Sequence, residues 1–151
     1  MQKLEKGVAA VEFGILLIPL VVLAFGITEF GRAIYTYNTL TKSVRDAARY
    51  LTTQTPGDAN EHTTAKCMAV YGKPSCDNTD TPLAPGLNLG MVETCDQVLS
   101  CNGVTTSLTT GSGTINLVVV RIHGYPYNSI VEFVMPDITF GNISTSMRGQ
   151  L

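Results

Sequence analysis

Apolar positions are distributed unevenly along this chain. From Val8 to Phe30 the residues read VAAVEFGILLIPLVVLAFGITEF, and the stretch Phe13 to Ile27 carries no charge. These 23 residues exceed the roughly 20 that a helix needs to cross a bilayer core. A chain this small has little core in which to bury a helix that is apolar all round, so the pattern predicts a membrane span. Gly14, Gly26 and Pro19 are tolerated there, although Pro19 removes a backbone donor and is expected to kink the helix near its middle. Beyond Arg32 the pattern becomes one-sided. Ile34, Tyr37, Leu40, Val44, Ala47 with Ala48, and Leu51 recur every three or four residues, while Arg32, Lys42, Arg45, Asp46 and Arg49 take the opposite face. No Pro or Gly interrupts Arg32 to Thr55, and Pro56-Gly57 marks a stop. The prediction is one helix over 8–53, about 70 Å long, whose second half is an amphipathic spine for a small domain.

Downstream the period shortens. Asp58 with Glu61 has the spacing of a capping box, and Gly72 is placed to end a helix through Ala65, Met68 and Ala69. Residues 73–90, with Pro74, Pro82 and Pro85, read as loop, 92–99 as a helical turn, and 105–113 as turn. Thr114 to His123 is β-branched and reads as a central strand. Ile130 to Met135 is a short apolar run, strand or helical turn, and Ile138 to Met147 the last strand. The fold class is α+β: a long N-terminal helix with a small antiparallel sheet laid on its C-terminal half.

Charge refines this picture. The chain of 151 residues is 44% hydrophobic and 15% charged, with a net charge of −2. That composition excludes intrinsic disorder, and it lacks the Lys and Arg surplus that nucleic acid binding requires. Residues 1–49 hold six basic and four acidic groups, and residues 50–151 hold four and eight. Lys3 and Lys6 precede the span and Arg32, Lys42, Arg45 and Arg49 follow it, so positive charge sets no orientation. The cysteines are a better guide. Cys67, Cys76, Cys95 and Cys101 lie in the C-terminal part, and an even number in a small, loop-rich exported domain points to disulfides. Their spacing lacks the knuckles of a zinc site. Three connectivities are open, of which Cys67–Cys76 and Cys95–Cys101 close the shortest loops. His62 and His123 lack a nucleophile motif, Gly111 to Gly113 lacks the signature of a phosphate loop, and Asn142-Ile143-Ser144 fits a common glycosylation triplet. Neither a metal nor a cofactor is implied.

A carboxylate, Glu12, falls inside the span near its start. An acidic side chain at the centre of a membrane helix costs about 2.5–3.5 kcal/mol, less near its edge, so Glu12 calls for a purpose. It follows Gly7 by five residues, with Phe13 next, where a basic leader meets an apolar helix. This junction resembles the processing site of the type IV pilin superfamily. The resemblance implies cleavage by a membrane-embedded prepilin peptidase between Gly7 and Val8, leaving Glu12 fifth in the mature chain. Glu12 would then pair with a neighbouring subunit's new amine and set its register. The combination of Gly7, Glu12, Phe13, Pro19, Glu29-Phe30-Gly31-Arg32 and Arg45, Ala47, Ala48, Arg49 more narrowly resembles TadE-like pseudopilins of the tight adherence (Tad, or Flp) pilus. A strand at 115–122, Tyr125-Pro126-Tyr127 and a closing strand from Ile143 to Arg148 are similar to the C-termini of that family.

The resemblance implies a leader at 1–7, a span at 8–30, a spine at 31–55 and an extracytoplasmic, pilin-like α+β domain at 56–151. The implied protein is a non-enzymatic minor pilin of the inner membrane, with the leader cytoplasmic, that initiates, caps or anchors an adhesive pilus. Expected partners are the prepilin peptidase, the major Flp pilin, another TadE-like or TadF-like pseudopilin, the inner-membrane assembly platform and the lipid bilayer. The alternative is an extracytoplasmic binding domain, secreted or anchored, with an ordinary signal peptide. Ala24-Phe25-Gly26 offers small residues at the two positions that a signal peptidase reads.

Overall fold

The computed structural model of the protein describes residues 5–77, 79–111 and 113–150. The leader residues 1–4, Lys3 among them, and the side chain of Lys6 lie outside the described residues. A single helix, α1, runs from Glu5 to Leu51 through Pro19. It stops two residues short of the expected end, because the amides of Thr53 and Gln54 turn back to the carbonyls of Tyr50 and Leu51 in tighter three-residue steps.

The chain divides into two compact units. The first takes the residues up to Tyr35 together with Tyr127–Ile138, and the second takes Thr36–Pro126 with the residues from Thr139 on.

In the first unit the helix carries an 18-residue window of mean hydropathy 2.6, none of it buried. A core helix of a soluble protein would be covered. This exposed apolar helix fits a single-pass membrane protein. The partner segment contains a helical turn, in which the amides of Val134 and Met135 donate to the carbonyl of Val131.

The second unit holds the α+β domain. Helix α2, Ala59–Tyr71, starts at Asp58, whose carboxylate accepts the Asn60 amide at 2.8 Å. It ends at Gly72, whose φ of 71° is the left-handed conformation that a helix C-cap requires. The expected capping box is only half formed. Glu61 accepts the Tyr50 hydroxyl instead of reaching back to the Asp58 amide, which already donates to the Thr55 carbonyl at 3.4 Å.

Strands β1 (Val92–Cys95), β2 (Ser107–Thr110), β3 (Gly113–Ile122) and β6 (Ile143–Arg148) form an antiparallel sheet centred on β3. β1 and β6 take opposite edges of β3, since both pair with Val119–Ile122. β2 pairs with residues 113–116. Strands β4 (Pro126–Tyr127) and β5 (Ile138–Thr139) make a separate pair.

Three expected elements change. Residues 92–99 begin as a strand rather than a helical turn, because β-branched Val92 and Thr94 bury against the β-branched run of β3. A short 3-10 turn, Leu89–Met91, precedes them. Within 105–113, Ser107–Thr110 form β2, a largely exposed strand whose Ser and Thr composition resembles that of a turn. The single last strand is two, β5 and β6, separated around Gly141 and Asn142.

The buried face of α1 keeps the expected Leu40, Val44, Ala47, Ala48 and Leu51 and differs from the expected one in its first turns. Ile34 and Tyr37 are exposed, while Ala33, Thr36, Leu40, Ser43, Val44, Ala47, Ala48 and Leu51 are buried. Both sets satisfy the helical period. The small residues win because they admit close packing, and the Ser43 hydroxyl can be buried by donating to the Leu40 carbonyl at 3.0 Å. The core of the second unit is drawn from Leu40 to Leu51 on α1, Ala65, Ala69 and Val70 on α2, and Val118, Val120 and Ile122 on β3. Tyr37, Tyr125 and Phe140 pack as an aromatic group, with ring centroids 5.7 Å apart in each adjoining pair.

Candidate functional site

The first candidate site lies at the start of α1. Gly7, Val8, Glu12 and Phe13 are all helical and exposed. Glu12 makes no hydrogen bond or ion pair among the described residues. Phe13, six residues before Pro19, borders a shallow apolar groove with Leu16, Leu17, Pro19, Leu20 and Leu23. These residues share one exposed stretch of helix and, among the described residues, make no hydrogen bond, ion pair or disulfide with another part of the chain.

A second constellation, in the first unit, was quoted in the sequence only as part of a motif. Glu29 is 2% exposed, within the segment where a carboxylate needs a partner. It has several. Arg32 Nη2 donates at 3.1 Å, Ser129 Oγ at 3.1 Å, and the Ile130 amide at 3.3 Å. The Tyr127 hydroxyl lies 3.3 Å from both the carboxylate and the Glu29 carbonyl. Arg32 also donates to the Asn128 carbonyl at 2.6 Å, and its guanidinium carbon sits 4.8 Å from the centroid of the Tyr127 ring. One acid and one base, a helical turn apart, thus hold four consecutive residues of a distant segment, 127–130. The i,i+3 spacing of opposite charges was the available signal. What it pairs with was not, because the contacts lie about a hundred residues away in sequence.

The third constellation is in the second unit. Asp96, directly after β1, is 3% exposed. Its Oδ1 accepts the Val98 amide at 2.8 Å and the Leu99 amide at 2.6 Å. Its Oδ2 accepts the Gly57 amide at 2.6 Å and lies 2.9 Å from His62 Nε2. The other ring nitrogen of His62 lies 2.9 Å from Thr94 Oγ1. Burial alone would raise the carboxyl pKa, but the amides of Leu99 and Gly57, His62 and the Val98 amide together hold it below the ordinary carboxylate value. A hydroxyl, an imidazole and a carboxylate in series suggest nucleophilic catalysis. Here all three residues are between 3% and 5% exposed, so no substrate carbonyl can reach the hydroxyl, and the arrangement fastens α2 to β1. The Cys95–Cys101 disulfide closes the same loop, and Cys67–Cys76 ties the end of α2 to the segment that follows. On the sheet, the Arg121 guanidinium beside Glu93 holds that carboxyl below its usual range.

A long N-terminal helix with an exposed apolar half, a small antiparallel sheet and two disulfides define an α+β protein, and the apolar helix fits a single-pass membrane protein. Residues 7–49 match the family model of TadE-like protein, consistent with a TadE-like pseudopilin of the Tad pilus. That family is structural and non-enzymatic. The match covers both Gly7 to Phe13 and Glu29 to Arg32 and ends before the sheet domain. Comparison with curated proteins gives no match, and comparison with solved structures gives none.

Proposed function

We propose that the protein is a minor pilin that prepilin peptidase cuts between Gly7 and Val8, and that it acts in the assembly of a Tad-type adhesive pilus. The observation that carries this reading is Glu12, exposed and unpartnered among the described residues, five positions after Gly7 within the family-matched segment. Cleavage would free an amine on Val8. In a neighbouring copy or the major Flp pilin, that amine is the natural partner for a carboxylate lying in lipid, and breaking such a pair costs roughly 3–5 kcal/mol. Glu12 would set the register of the incoming subunit, and Phe13 and the apolar rod beyond it would pack against its helix. In this reading residues 1–7 are a cytoplasmic leader, 8–30 cross the inner membrane, and the disulfide-bonded domain is extracytoplasmic. The peptidase, the major pilin, a second TadE-like or TadF-like pseudopilin and the assembly platform are its partners.

N-terminal sequencing of the mature protein from its native membrane tests the processing step. A start at Val8 supports it. A start at Ile27 would identify an ordinary signal peptide, and Met1 an unprocessed anchor. Glu12→Ala should still insert in the membrane and fail to assemble, and normal pili in that variant would rule out registration by this carboxylate.

A further inference from the structure

The first unit presents more apolar surface than its helix. In the segment 127–138, Phe133 is 88% exposed and Ile130 is 74% exposed. Their height along α1 is fixed at two points. The Ile130 amide donates to Glu29, and Val134 Cγ1 lies 3.5 Å from where a side chain on Gly26 would begin. Phe133 is therefore held beside the last turn of the span 8–30, where Ile27 and Phe30 are themselves 75% and 59% exposed. Val134 also forms one wall of an open apolar groove of about 540 Å³, whose other lining includes Val22, Leu23, Ile27, Phe30 and Ile34.

Part of the backbone of this segment is hydrogen-bonded from within the segment. The Ser129 amide donates to Asp137 Oδ1 at 2.7 Å, the Val131 amide to Ser129 Oγ at 3.2 Å, and the amides of Val134 and Met135 to the Val131 carbonyl. Internal bonds of this kind lower the cost of bringing backbone toward a membrane, and a position at the headgroup boundary leaves the remaining groups within reach of water. The charged residues Glu132 and Asp137 suit the headgroup level rather than the acyl core.

We propose that residues 129–135 form a second membrane contact, with Ile130 and Phe133 entering the boundary between headgroups and acyl chains in the leaflet where the span ends. The occupant is lipid, because the exposed side chains continue the surface that the span itself turns to lipid. The Glu29–Arg32 pair is then the device that holds the segment at that depth. This inference rests on the reading of 8–30 as a membrane span.

The chain has no tryptophan, so a single one reports its own surroundings. Full-length Phe133→Trp, Leu20→Trp in the span and Leu108→Trp on β2 are each reconstituted in phosphatidylglycerol–phosphatidylcholine vesicles, without bromine, with acyl chains brominated near the carbonyl, and with acyl chains brominated near the methyl end to report on Leu20→Trp. The expected result is blue-shifted Phe133→Trp emission, mostly lost to brominated lipid and little affected by aqueous acrylamide, as for Leu20→Trp. Acrylamide quenching equal to that of Leu108→Trp, with no effect of bromine, overturns the proposal. A blue shift that grows only with protein density, without bromine quenching, assigns the face to a second copy and overturns it too. Failure of Leu20→Trp to meet lipid would instead remove the span reading beneath it. Should Phe133→Trp misfold, Ile130→Trp carries the same test with the same outcomes.

Discussion

Asp96 supports its part of the fold with one side chain and four bonds, and the two substitutions that remove its charge should separate what those bonds contribute. In Asp96→Asn the retained oxygen can still accept the Val98 and Leu99 amides, now at 2.8 and 2.6 Å. The new NH₂ takes the place of Oδ2. His62 can answer it by accepting at Nε2 and donating from Nδ1 to Thr94, whereas the Gly57 amide, now 2.6 Å from its acceptor, faces a second donor. One hydrogen bond to a charged group is lost, about 2 kcal/mol. Asp96→Ala removes all four bonds and leaves three partly buried amides behind; at about 1 kcal/mol each, plus the imidazole, the cost is roughly 4 kcal/mol. At about 2–4 °C per kcal/mol for a chain of this size, the midpoint should fall by roughly 4–8 °C for Asn and about twice that for Ala. The assay is thermal unfolding of the full chain in mild detergent, followed by tyrosine near-ultraviolet circular dichroism. Acidification gives the sign. The folded carboxyl titrates below its ordinary value, so its stabilisation is complete above the unfolded pKa of about 3.9 and is lost as pH falls through the lower folded value. The advantage of wild type over Asp96→Asn should shrink over that acid window. Equal midpoints for the two variants, or an advantage unchanged down to pH 2, would refute the assignment.

Two further outcomes follow from the described contacts. Gly57→Ala should be strongly destabilising, by about 2–3 kcal/mol, since φ is +79° and a Cβ would meet Val98 Cγ1 at 2.6 Å; a melt within a degree of wild type would contradict that geometry. Glu29→Ala should leave α1 helical but release the segment 127–130, so that the Ile130 amide exchanges with deuterium roughly tenfold faster or more; unchanged protection would mean that the segment is held by something other than this carboxylate.

The long helix, the small antiparallel sheet and the central position of β3 were legible because each depends on a local pattern: an uncharged run, a stop at Pro56-Gly57, a β-branched decapeptide. β1 and β2 were not. Val92–Cys95 is a strand only because β3 lies beside it, and the threonines of β2 look like turn residues because that strand faces solvent. The period of α1 was visible, and Leu40, Val44, Ala47, Ala48 and Leu51 lie buried as it predicts, but in the first turns the small Ala33 and Thr36 are buried in place of the larger Ile34 and Tyr37, which hydrophobicity alone does not foretell. Glu12 drew attention by its chemistry alone. Glu29 did not, because opposite charges three residues apart commonly explain each other, and its further partners Tyr127, Ser129 and Ile130 become visible only when the chain returns.

The two disulfides join cysteines that follow one another in the chain, Cys67 to Cys76 and Cys95 to Cys101, at separations of 9 and 6 residues. Neither bond encloses the other, and neither waits for β6. A chain oxidised as it emerges, N-terminus first, meets each partner before the next cysteine arrives, so the order of synthesis itself selects the native pairing. In a domain exported in that order, the native pairing needs an oxidant and leaves little for an isomerase to correct.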